Sequence, residues 1–177
     1  MIGVLVSGEG TNLQALIDAG LPILAVASNK AAVPALARAQ RVALPAASFE
    51  LADYADREAR DLAVAAWLEE QGVQLVVLAG YMHLLTPAFL ERFRDRVVNV
   101  HPSLLPSFPG VHPIEDALAA GVETTGVTVH LVDEGVDSGP VLRQEPVAVE
   151  PKDTLVERIH AVEHRLLPEV VRDLCAR

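Results

Sequence analysis

Short apolar runs alternate with longer segments of helical period through the first hundred residues, and no other feature narrows the possible folds as far. Ile2–Val6 and residues 74–79 are continuous apolar runs of strand length. Residues 22–28 and 96–100 read as further strands, with a weak one at 41–46. Between them, residues 11–19, 32–40, 56–71 and 87–93 carry helical spacing; the clearest, 56–71, turns Leu62, Ala66 and Leu68 inward. A strand that is apolar along its whole length is covered on both faces, and parallel neighbours need a crossover that a helix supplies. The fold class expected is therefore α/β, an open and mostly parallel Rossmann-like sheet with helices on both faces.

The last third changes character. Residues 126–132 alternate, Val127, Val129 and Leu131 against Thr128 and His130, which predicts a strand with one face less buried. After a turn rich in Gly and Asp, residues 140–149 read as its antiparallel partner. Residues 153–174 close the chain as a long amphipathic helix, with Asp153 or Thr154 as its cap. No repeat, linker or low-complexity tract interrupts the pattern, so residues 1–177 are expected to form a single domain.

Composition excludes several classes of function. Hydrophobic residues make up 51% and charged residues 21%, the balance of a globular chain. The apolar runs are far too short to span a bilayer, and the start of the chain has neither the basic region nor the cleavage site of a signal peptide. The single cysteine, Cys175, leaves no internal disulfide and fits a reducing cytoplasm. A net charge of −10, without a basic block, argues against a nucleic-acid partner. If the substrates are anions, local donors must overcome this overall field.

Two loops carry the chemistry. Ser7-Gly8-Glu9-Gly10-Thr11-Asn12 joins the first strand to the first helix, where backbone N–H groups point at the ligand crevice of such sheets. A dinucleotide fingerprint needs glycine where Leu13 stands, and a P-loop needs a lysine that is absent. What remains is a compact nest for one phosphate, or a turn shaped only by geometry. Further on, Asn99 and His101 share one face at the end of a buried strand, followed by a loop stiffened by Pro102 and Pro106. The glycine-punctuated segment Asp133-Glu134-Gly135-Val136-Asp137-Ser138-Gly139 follows the alternating strand and is expected to bring Asp137 to His101, orienting the imidazole and favouring its charged form. A lone histidine and a D-x-G turn also occur simply as structure. A metal site from His101, His112 and Asp137 lacks ligand spacing, and no G-x-S-x-G elbow is present. Neither a metal nor a covalent intermediate is indicated.

Taken together, these motifs resemble the phosphoribosylglycinamide formyltransferase family. The matching pieces run in order: S-G-E-G-T-N-L-Q at 7–14, S-N-K at 28–30, V-L-A-G-Y-M at 77–82, N-V-H-P-S-L-L-P at 99–106, F-P-G at 108–110, G-V-T-V-H at 126–130 and V-D-E-G-V-D-S-G-P at 132–140. The resemblance implies the formyltransferase fold and the transfer of a formyl group from 10-formyltetrahydrofolate, a co-substrate, to the amine of phosphoribosylglycinamide, with no metal. It assigns catalysis to Asn99, His101 and Asp137. Gly10, Thr11 and Asn12 would hold the ribotide phosphate, and His160 and Glu163 on the last helix would approach the same substrate. The folate would meet Arg57 at its tail, the backbone of Met82, His83, Leu84 and Leu85 at the pterin, and Asn99, Asp133, Glu134, Gly135, Val136 and Asp137 beside it. His83 departs from the arginine or lysine usual after G-Y-M. Small-molecule partners are expected, with neither nucleic acid nor membrane; the oligomeric state is open.

Overall fold

The computed structural model describes residues 1–176; the last residue of the expected 1–177 domain lies outside the described residues. The chain divides into two compact units, Met1–Val98 and the chain from Asn99 on. The fold is α/β, and the strand order runs β3-β2-β1-β4 through the first unit and β5-β6-β7 through the second.

In the first unit β1 (Ile2–Val6) is buried at every residue and pairs in parallel with β2 (Ile23–Ser28) and β4 (Leu75–Leu78). The crossovers are α1 (Thr11–Asp18), α2 (Pro34–Arg41) and α3 (Arg57–Glu70), and α4 (Pro87–Arg92) follows β4. Helix α3 starts where Asp56 accepts a hydrogen bond from the Ala59 N–H at 2.8 Å. It lies so close over β1 that a Cβ on Gly3 would sit 2.9 Å from Leu68 Cδ2.

Two expectations fail here. The inner face of α3 is Arg60, Asp61, Val64, Ala65 and Leu68, while Leu62 is exposed. Of the three residues expected inward, Leu68 is buried, Ala66 half-buried and Leu62 exposed; the inward stripe is offset from the expected one and includes the Arg60–Asp61 pair, whose groups find partners in His83 and Thr86. The third strand, β3 (Ala46–Ser48), begins at the last residue of the expected 41–46 segment. Arg41 ends α2 and Ala43 has φ 57°, a left-handed turn that no strand continues through.

The second unit takes up the end of β5 (Val97–His101), then α5 (Pro113–Ala120), β6 (Thr124–Leu131), β7 (Val141–Ala148) and α6 (Leu155–Cys175). Strands β6 and β7 are antiparallel, as expected. Strand β6 is buried on both faces, however, with Thr128 and His130 0% and 2% exposed. Thr128 is satisfied inside: its hydroxyl donates to the Ser103 carbonyl at 2.7 Å and accepts from the Leu105 N–H at 3.1 Å and Gln144 Nε2 at 2.9 Å. Those bonds pin the loop that follows β5. The pairing slips between Val129 and His130, the kind of irregularity that re-aims a side chain. Helix α6 buries Leu155, Ile159, Leu166, Leu167 and Val171, and Arg158 ties its first turns to the carbonyls of Val149 and Pro151 at 3.1 and 2.7 Å. Thr154 stands at its cap, after a short 3-10 turn at Lys152–Thr154, without a side-chain bond to a helix N–H; its hydroxyl instead donates to the Pro151 carbonyl at 3.3 Å and accepts from Arg158 Nε at 3.2 Å.

Candidate active site

The three residues expected to act together do meet. Asn99 and His101 leave β5 on one side, and Asp137 reaches both: its Oδ1 lies 3.4 Å from Asn99 Nδ2 and its Oδ2 lies 3.4 Å from His101 Nδ1. A fourth group joins them. His130 Nε2 lies 3.2 Å from Asn99 Nδ2 and 3.6 Å from Asp137 Oδ1. Asp137 also accepts the Gly110 N–H at 2.9 Å. It has φ 51°, and a Cβ on the next-but-one residue, Gly139, would sit 1.9 Å from the Leu131 carbonyl oxygen. The turn that delivers the carboxylate therefore closes only with glycine at 139.

Carbonyl partners fix the tautomers. His101 Nε2 lies 2.8 Å from the Phe108 carbonyl oxygen, which can only accept, so Nε2 carries hydrogen and Nδ1 faces Asp137. A proton taken up at Nδ1 has the carboxylate as its acceptor. His130 Nδ1 likewise donates to the Leu131 carbonyl at 2.8 Å, and its Nε2 faces both the Asn99 amide and Asp137 Oδ1, so that a proton there is directed at the carboxylate. Burial pushes the Asp137 pKa up, but the His130 ring, the Gly110 N–H and the positive character of His101 and His130 outweigh it and hold the carboxyl below its ordinary range. The cluster thus couples a secured anion to two imidazoles and an amide. Such a set can hold a developing oxyanion and move one proton.

The rest of the 133–137 loop is turned on itself. Asp133 Oδ1 accepts the Gly135 N–H at 3.0 Å and the Ser138 hydroxyl at 2.7 Å, while Glu134 and Val136 are exposed. On α6, His160 is exposed and stacks on His164 with ring centroids 6.0 Å apart; Glu163 is buried.

In the first unit the 7–12 loop forms as expected, with Gly10 as the residue that requires glycine. It has φ 74° at the start of α1, and a Cβ there would lie 2.6 Å from that of Ala35. Nothing crowds Gly8. Helix α2 braces the turn, since Ala35 N–H donates to the Gly8 carbonyl at 3.1 Å and Arg38 Nε to the Glu9 carbonyl at 2.7 Å. Thr11 is exposed and Asn12 buried. Arg57 is exposed on the first turn of α3. Met82 and Leu84 are exposed, Leu85 is buried, and the Met82 N–H donates to Ser7 Oγ at 2.9 Å.

Comparison with known proteins identifies the family. A family model described as formyl transferase matches residues 1–171. The chain belongs to the formyl transferase family. A curated family member, the phosphoribosylglycinamide formyltransferase of Mycobacterium tuberculosis, is 44% identical over 178 residues, covering 97% of this chain and 83% of that protein. The trifunctional purine biosynthetic protein adenosine-3 of Chironomus tentans is 43% identical over 182 residues; 97% of this chain matches, but it spans only 13% of that protein. Among solved structures, glycinamide ribonucleotide transformylase 1 from Symbiobacterium toebii superposes with a TM-score of 0.94 at 45% identity, covering 97% of this chain and 85% of that one. Phosphoribosylglycinamide formyltransferase from Bacillus halodurans gives 0.95 at 38% identity, covering 99% and 95%. These likenesses bear out the expected formyltransferase fold.

Within this formyl transferase, sequence reasoning missed His130. The available signal was that a histidine on an alternating strand has a partner somewhere, and the neighbouring D-x-G loop was a candidate for it.

Proposed function

We propose that the chain transfers the formyl group of 10-formyltetrahydrofolate to the amine of N1-(5-phospho-D-ribosyl)glycinamide, a step in the synthesis of IMP. The observation that carries this reading is the convergence of Asn99, His101 and His130 on the ionised Asp137. The names of the relatives support the choice of substrates.

The amine lone pair attacks the formyl carbon directly, and the carbonyl π pair moves to oxygen. Asn99 and His101 stabilise that oxyanion. The attacking nitrogen gives up one proton through a water held by Asp137, and that proton restores the one His101 spends. His101 delivers one to the departing folate nitrogen, so the C–N bond to folate breaks as the oxyanion collapses. No bond to the protein forms at any stage. The ribotide phosphate rests on Gly10, Thr11 and Asn12, with His160 and Glu163 meeting the same substrate. Arg57 takes the folate tail, and the backbone of Met82, His83, Leu84 and Leu85 takes the pterin, together with Asn99, Asp133, Glu134, Gly135, Val136 and Asp137. On this reading residues 1–177 act as one formyltransferase domain in the cytoplasm, on small molecules alone and without a metal.

The test is release of tetrahydrofolate from 10-formyltetrahydrofolate with and without the ribotide. Turnover that needs the ribotide upholds the reading. Equal turnover in water alone makes the protein a deformylase and overturns the role of Gly10, Thr11 and Asn12.

A further inference from the structure

The first unit holds a buried polar chain that the reaction scheme leaves unused. Arg60 and Asp61 are both 0% exposed, and Arg60 is among the largest fully buried side chains of the protein. Arg60 grips Asp61 Oδ1 through Nε at 3.0 Å and Nη2 at 2.6 Å, and its Nη1 lies 2.6 Å from His83 Nδ1. Asp61 Oδ2 accepts the Thr86 N–H at 2.8 Å. On the other side of the ring, His83 Nε2 lies 3.1 Å from the Asn29 carboxamide, which meets Ser7 Oγ at 2.6 Å. Residues 80–86 are thereby held at three points: the Met82 N–H on Ser7, the His83 ring on Arg60 and Asn29, and the Thr86 N–H on Asp61.

A buried ion pair adds little stability over well-packed apolar side chains, so its orienting effect is the better account of why Arg60 is there. The donors decide the state of the ring. A guanidinium has only N–H groups and stays charged, so His83 Nδ1 must accept and Nε2 must carry the single hydrogen of a neutral imidazole. Asn29 Nδ2 stands against His83 Nε2 while Oδ1 accepts the Ser7 hydroxyl; a neutral ring with hydrogen on Nε2 needs the flipped amide, its oxygen toward His83 and its NH2 donating to Ser7 Oγ. A second proton has no place, because it would set an N–H of a cationic ring against the Arg60 N–H.

We propose that Arg60 and His83 are positioning residues: the buried guanidinium, braced on Asp61, holds a neutral His83 ring and so fixes the 80–86 loop in the form that presents its backbone to the folate. This rests on the reading that Met82–Leu85 meets the pterin. The surroundings agree. Burial lowers the His83 pKa most, and Arg60, Lys30 and Arg57 lower it further, against the opposing charge of Asp61. Tyr81, whose ring centroid is 5.9 Å away, is kept as a neutral phenol, its pKa pushed up to about 12 chiefly by burial. Folate affinity supplied by this loop is therefore lost as pH falls and His83 is forced to charge.

The experiment measures binding of 10-formylfolate to the full chain and to His83→Ala and His83→Gln, at pH 7.5 and 5.5. Losing one such buried bond weakens binding about tenfold, so His83→Ala is expected to raise the folate Kd by that factor at pH 7.5 and leave the ribotide KM within about twofold. His83→Gln can accept from Arg60 and donate to Asn29. It is expected to recover the affinity and to show a flatter pH dependence than the unmodified chain. Unchanged folate affinity in His83→Ala overturns the proposal, as does an identical pH slope in His83→Gln. If the unmodified chain binds no 10-formylfolate at either pH, the assigned substrate fails instead. Nitrogen-15 spectra of the histidines then judge the pairing alone: a bare Nδ1 and protonated Nε2 on His83 uphold it, and a protonated Nδ1 ends it.

Discussion

At the scale of single residues, Asp137 is the centre to which the reacting groups are referred. His101→Ala removes a donor and a proton carrier together, and is expected to lower kcat by at least a hundred- to a thousandfold. Ribotide binding should persist, because Gly10, Thr11 and Asn12 belong to a different loop; a large loss of ribotide affinity in that variant would show the roles are not separate. Asp137→Asn keeps the shape but removes the anion that faces His101 Nδ1 and favours its charged form, and should also cut kcat by about a hundredfold or more. Because the Asp137 pKa is held below the ordinary carboxylate value, its charge is lost only below the ordinary carboxylate range. An acid limb in kcat near neutrality therefore cannot come from Asp137. Gly10→Ala is expected to cost about 1–2 kcal/mol from its positive φ alone, with the Ala35 clash added. It should raise the ribotide KM far more than the folate KM in a steady-state assay. The meeting of Asn99, His101 and Asp137 was legible because the first two share a face at the end of a buried strand and the glycine-punctuated loop can return Asp137 to them, whereas their catalytic assignment came from the family resemblance. His130 was not: its strand alternates, and alternation suggests a wet face where the structure has a second buried one.

Among the elements, the strands that are apolar throughout were read almost to the residue, β1 without any shift. The errors fall where side-chain chemistry overrides pattern. Helix α3 turns inward on Arg60 and Asp61 rather than on Leu62, a choice visible only once their partners Thr86 and His83 are in place. Helix α5, with eight residues opening on Pro113, went unread because the proline-rich stretch before it looks like continuous loop. Strand β3 is three residues long and half exposed, too short for any periodicity. The Asp56 cap of α3 was placed inside the helix by sequence but stands one residue before it. Its loss in Asp56→Ala should destabilise the fold by about 1 kcal/mol, which for a chain of this size lowers Tm by roughly 2–4 °C. An unchanged melting curve would mean the Ala59 N–H finds an equivalent partner.

For the molecule as a whole, two histidines make acid conditions unfavourable. The pKa of His83 is lowered by burial and then by Arg60, and that of His164 by burial and then by His160. The unfolded chain takes up these protons near pH 6.5 and the folded chain only at lower pH. Their contribution is therefore complete above about pH 6.5 and is lost progressively as pH falls through the folded values. The urea midpoint should drop between pH 7.5 and 5.5, and a flat or rising midpoint would contradict this. The net charge of −10 makes the local arrangement of donors matter more on the proposed reading, in which anionic substrates approach against the mean field.

The groups that gather at the reacting centre, Asn99, His101, Phe108, Gly110, His130 and Asp137, all lie between residues 99 and 137 of the chain. They form a contiguous cassette. On the proposed reading, a segment swap that runs from 99 through Gly139, which the Asp137 turn requires, would carry the proton-handling groups into another member of the family while leaving the loop at 7–12 behind. If the proposed roles hold, the choice of recipient for the one-carbon unit and the chemistry that moves it would be exchangeable as separate parcels of gene.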